Sequence, residues 1–144
     1  MNPAYDRLTA RFARIAEFLE RCVREAKEHG FVTTILGRRR PVPQVHSRNP
    51  AERSLGERIA INTVVQGSAA DLIKIAMVRL DARLRAERPR SRLLLQIHDE
   101  LLVECPEAEV REVEGLVVAT MEGAMDLSVP LKVEAGSGRD WFAC

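Results

Sequence analysis

A chain of 144 residues, 46% apolar and 30% charged, has the makings of a single globular domain with a real core. Its formal net charge of +1 carries no global signal for nucleic acid, and neither a signal segment nor an apolar span of about 18 residues points to a membrane, so the sequence reads as cytoplasmic. Cys22, Cys105 and Cys144 are odd in number and unpaired in spacing, which disfavours a disulfide scaffold or a zinc site.

From Tyr5 to His29, the apolar residues Leu8, Phe12, Ile15, Leu19 and Val23 recur at helical intervals, predicting an amphipathic helix that Gly30 ends. Arg14, Glu17, Arg21, Arg24 and Glu28 read as its solvated face. Phe31–Leu36, the glycine turn at Gly37 and the proline-limited return through Pro41 and Pro43 predict a hairpin. The triplet Arg38-Arg39-Arg40 cannot be buried economically, so it either lies in solvent or faces an anion such as phosphate. A polar loop over Gln44–Asn49 then leads through Asn49-Pro50 into a long helix, roughly Pro50 to Glu87.

Between Ile59 and Val78 that helix is apolar or small all round, which predicts a central helix enclosed on most sides. Arg58, Asn62 and Gln66 nevertheless share one stripe at i, i+4 and i+8. Buried in such a helix they need polar partners, because an unmade hydrogen bond costs about 1–3 kcal/mol, and something polar should fill the stripe. Capping of neighbouring loops would satisfy them as well as a ligand would. Gly67-Ser68-Ala69-Ala70 allow another backbone to come close, and Gly67 could bend the helix.

A basic connection containing Arg83, Arg85, Arg88 and Arg90 leads to two apolar runs, Leu93–Ile97 and Leu101–Val103, around His98, Asp99 and Glu100. The pattern predicts a tight hairpin with these three residues at its tip, although no Gly, Pro or Asn supplies the turn. Adjacent carboxylates repel unless a cation lies between them, and hard oxygens from Asp99, helped by Glu100, suit Mg²⁺ or Mn²⁺. A polar tip in solvent explains the same residues without a ligand. Pro106 starts a further helix, packed on the sheet by Val110, Val113, Leu116, Val117 and Met121, and Leu127–Val133 reads as a last strand.

Three blocks taken together resemble family A DNA polymerases, the bacterial DNA polymerase I group. They are Gly37-Arg38-Arg39-Arg40, then Glu57-Arg58-Ile59-Ala60-Ile61-Asn62-Thr63-Val64-Val65-Gln66-Gly67-Ser68-Ala69-Ala70-Asp71-Leu72-Ile73-Lys74, and Gln96-Ile97-His98-Asp99-Glu100-Leu101. The likeness extends from about Arg24 to Trp141. It implies an α+β fold, with an antiparallel palm-type sheet and long helices packed on one face. Residues 1–29 would end the fingers region and residues 30–144 would form the C-terminal palm portion.

The resemblance further implies that Asp99 binds catalytic magnesium with Glu100 assisting. It implies that His98 lies by the primer terminus and that Arg58, Asn62 and Gln66 work near the primer-template minor groove. Primer-template DNA, deoxynucleoside triphosphates and upstream polymerase segments would be the partners. No Asp-Tyr-Ser block for a first metal-binding aspartate is present, nor a Lys-rich segment leading to Phe-Gly and Tyr-Gly. The expectation is therefore a fragment that does not polymerise alone. A non-catalytic DNA-binding module that keeps the palm fold is the alternative. A metal phosphohydrolase built on His98-Asp99 would need more histidines than His29 and His46.

Overall fold

The computed structural model describes residues 11–143, which form two compact units, one up to Asp71 and one from Leu72. The start of the expected first helix at Tyr5, its Leu8, and Cys144 lie outside the described residues.

In the first unit, helix α1 (Ala13–His29) buries Cys22 and Ala26, and Gly30 closes it at φ 75° with its N–H on the Ala26 carbonyl at 2.9 Å. Glycine tolerates that left-handed conformation where a Cβ would not. Strands β1 (Phe31–Thr33) and β2 (Arg39–Pro41) pair antiparallel, Val32 opposite Arg40. Gly37, at φ 78°, turns the chain between them. The loop expected over Gln44–Asn49 begins as a 3₁₀ turn, Pro43–His46.

Helix α2 (Pro50–Glu87) starts with Pro50 in its first turn, and the Asn49 side-chain oxygen accepts the Ala51 N–H at 2.9 Å. Ala26, Val32, Val42, Val45 and Ala60 form the core of this unit. Gly56 is dictated by contact: a Cβ there would lie 2.7 Å from the Val45 nitrogen.

The 38-residue α2 runs unbroken through Gly67 and continues across the division at Leu72. It is not enclosed on most sides. Ala60, Ile73, Ala76, Leu80 and Leu84 are buried, whereas Val65 is 53% and Val78 72% exposed. Apolar side chains recur all round this helix, and in each unit the described residues leave part of its circumference open.

In the second unit, β3 (Arg92–Ile97) and β4 (Glu100–Glu104) form the second antiparallel ribbon, with a bulge that leaves Leu94 without an opposite residue. Helix α3 (Val110–Glu122) follows a 3₁₀ turn, Glu107–Glu109, and buries Val113 and Leu116 against Leu80 and Leu84 of α2. Leu93, Leu101 and Val103 pack on this cluster, while Leu94 and Leu95 remain 48% and 41% exposed.

The architecture is α+β, with antiparallel pairing held in two separate ribbons. Leu127–Val133 is a correction: it forms no strand. A strand needs an edge to pair with, Pro130 has no N–H to offer one, and the Val133 N–H goes instead to the Glu122 carboxylate at 3.1 Å.

Candidate functional site

The tip of the β3–β4 ribbon is a two-residue loop, His98-Asp99, closed by pairing of Ile97 with Glu100. His98 is the one non-glycine described residue at positive φ, 52°. Two-residue hairpins need such a φ, and where glycine would supply it freely histidine pays about 1–2 kcal/mol. Gln96 steadies the tip, its Nε2 donating to the His98 carbonyl at 2.7 Å. His98, Asp99 and Glu100 are all exposed, and neither carboxylate takes part in a hydrogen bond or ion pair with a described residue.

Strained backbone holding two unneutralised carboxylates in solvent is a poor structural bargain and a reasonable cation site. Among the described residues no group of three or more His, Cys, Asp or Glu could hold a metal, so by itself this pair could supply only part of a coordination shell. That fits Mg²⁺, which is commonly held by one or two carboxylates with water and substrate phosphates completing the shell.

Arg58, Asn62 and Gln66 lie in the first unit on the exposed side of α2. The burial considered for them does not occur, and their side chains make no hydrogen bond or ion pair with a described residue. Loop capping is thereby excluded among the described residues. Three donors in a row are left facing solvent.

The arginines behave differently. Arg38 donates from Nε and Nη2 to Asp71 Oδ1, at 2.9 and 2.7 Å, and from Nη2 to the Gly67 carbonyl at 2.9 Å. Arg40 Nη1 reaches Thr63 Oγ1 at 3.1 Å, and the Arg39 guanidinium lies 4.8 Å from the Phe31 ring centroid. The triplet is thus exposed, as expected, while its guanidinium groups also take partners within the protein. Sequence reasoning missed Asp71, although the small residues Gly67 and Ser68 did signal the close approach that brings Arg38 there. In the basic connection, Arg83 pairs with Glu87, Arg85 with Asp81, Arg88 with Glu112 and Arg90 with Glu109. Arg83 holds the Glu87 carboxyl below its ordinary value, mainly by hydrogen bonding.

The family model for DNA polymerase family A matches residues 2–143. The chain belongs to DNA polymerase family A.

Over 137 residues this family A chain is 49% identical to the DNA polymerase I of Geobacillus stearothermophilus, covering 95% of itself and 16% of that protein. It is 45% identical over 142 residues to that of Mycobacterium tuberculosis (strain ATCC 25618 / H37Rv), covering 99% of itself and again 16% of the relative. It therefore spans 16% of the length of each of these two relatives. A solved structure, the POL domain of Pol1 from M. smegmatis in complex with DNA primer-template and dNTP, superposes with a TM-score of 0.92 at 44% identity, over 96% of this chain and 24% of that one. No helix among the described residues is long and apolar enough to cross a membrane.

Proposed function

We propose that this chain supplies the C-terminal palm portion of a DNA-directed DNA polymerase, residues 1–29 ending the fingers region and residues 30–144 belonging to the palm. The single observation that carries the proposal is the exposed Asp99–Glu100 pair on a strained two-residue hairpin, in a chain of this family. The primer-template and dNTP named in the M. smegmatis structure are the partners this reading gives to the complete enzyme.

Asp99 would hold Mg²⁺, or Mn²⁺ in its place, and Glu100 would assist. When bound, such cations stabilise the attacking and leaving oxygens of phosphoryl transfer. The chain's own residues do the rest by position. His98, beside Asp99, meets the primer terminus. Arg58, Asn62 and Gln66 donate to purine N3 and pyrimidine O2, acceptors present on every base pair, so they hold a correctly shaped pair without reading which pair it is. Sequence-blind gripping is what copying requires.

The test is a chimera in which this chain replaces the matching segment of the G. stearothermophilus polymerase. Template-dependent primer extension is expected, and Asp99→Ala should reduce turnover at least about a thousandfold, equivalent to about 4 kcal/mol, with DNA affinity nearly unchanged. Unaltered turnover would remove Asp99 from the reaction. The second reading, a DNA-binding module without catalysis, is favoured by the exposed row of donors, which needs no metal and no second carboxylate to meet DNA. In that case the chain binds primer-template DNA with steep salt dependence, and the chimera does not extend it.

A further inference from the structure

The hairpin turn between β1 and β2 is cross-tied to one side of α2 within the first unit. The Ile35 N–H donates to Ser68 Oγ at 2.9 Å, and that hydroxyl donates to the Val64 carbonyl at 2.5 Å. Arg38 forks onto Asp71 and the Gly67 carbonyl, and Arg40 holds Thr63. A Cβ at Gly67 would stand 2.8 Å from Thr34 Cγ2, so the turn sits against the helix backbone itself. At 3.6 residues per turn, Thr63, Gly67 and Asp71 lie on roughly the opposite side of α2 from Arg58, Asn62 and Gln66.

We infer that Arg38, through Asp71 and the Gly67 carbonyl, is a positioning residue: it sets the direction in which Gln66, and behind it Asn62, leave the helix. Gly67 follows Gln66 directly and is the weakest link of this helical stretch, by about 1 kcal/mol relative to alanine. A guanidinium bonded to the carbonyl of that glycine restrains the peptide just where restraint is lacking. Asp71 is 7% exposed and keeps the guanidinium in place, while half of the Arg38 side chain remains open to solvent. Lysine could not replace it, because one ammonium lacks the planar fork that serves carboxylate and carbonyl together. The hairpin thereby acts as a brace behind the donor row. This inference rests on the proposed role of that row in gripping DNA.

Two measurements on the 144-residue chain separate the brace from that role. Without DNA, backbone amide exchange over residues 66–71 should quicken about tenfold in Arg38→Lys, with the helical circular dichroism retained. Unchanged exchange overturns the inference. With a primer-template hairpin DNA as probe, Arg38→Ala and Arg38→Lys should each weaken binding about tenfold, and in a Gln66→Ala background they should add little. The salt slope of Arg38→Ala should match the unmodified chain. An equal loss in both backgrounds, or a slope lowered by about one, would mean a general or phosphate-contacting role and overturn the inference. If the unmodified chain fails to bind the hairpin, or Asn62→Ala and Gln66→Ala bind like it, the DNA reading of the row fails and takes the positioning role with it. The exchange measurement still reports on the brace itself.

Discussion

At the level of single residues, His98 shows how a local cost marks a site. It occupies a left-handed conformation in a turn that glycine would make without strain. His98→Gly should therefore stabilise the isolated chain by about 1 kcal/mol in urea unfolding. A loss of stability would show instead that the imidazole contributes contacts worth more than the strain. Cys22 offers a prediction of a different kind. Burial pushes its thiol pKa up, Glu25 adds to the shift and Arg21 opposes it. A group raised in the folded state contributes stability that is complete below its unfolded pKa and lost as pH rises through the folded one. Stability should thus fall on the alkaline side of about pH 8.5, and Cys22→Ala should lessen that fall. Urea midpoints taken across the alkaline range decide the point, with some slope remaining from Cys105, whose thiol burial also raises.

At the level of elements, three helical glycines separate propensity from packing. Gly115, within α3, has nothing within 4 Å of a built Cβ. Gly115→Ala should stabilise by about 0.5–1 kcal/mol, because only helix propensity changes. In Gly67→Ala the same gain meets Thr34 Cγ2 at 2.8 Å, and a net loss of about 1–3 kcal/mol is expected. Gly56→Ala should be the worst of the three, since it strikes backbone atoms of Gln44 and Val45 that cannot rotate away. Thermal denaturation of the three variants gives the order directly, and equal shifts would show that packing around α2 is looser than these distances.

For the whole molecule, the pertinent feature is apolar surface left open in both units: Val65 in the first, and Val78, Leu94 and Leu95 in the second. With a net charge of +1 and an isoelectric point near 7.8, little electrostatic repulsion keeps copies apart at neutral pH. The chain alone should self-associate most strongly near that pH and less in acid, and Leu94→Lys should weaken the association. Sedimentation velocity reads both effects. A monomer at all pH values would show these side chains to be harmless singly.

The sequence by itself determined the helices, both hairpins and the tip of the second, because these depend on local periodicity, on Gly30 and Gly37 at positive φ, and on the pairing of adjacent runs. The resemblance of three sequence blocks to a known family was enough to point to that family. Only the tertiary structure decided that Arg38 belongs to Asp71, 33 positions away, since a charge run looks the same whether it meets water, phosphate or a buried carboxylate. It also decided that Arg58, Asn62 and Gln66 face solvent, and that Leu127–Val133 stays unpaired. A strand and an enclosed helix are properties of what lies beside them, and neighbours distant in sequence leave no period in the chain.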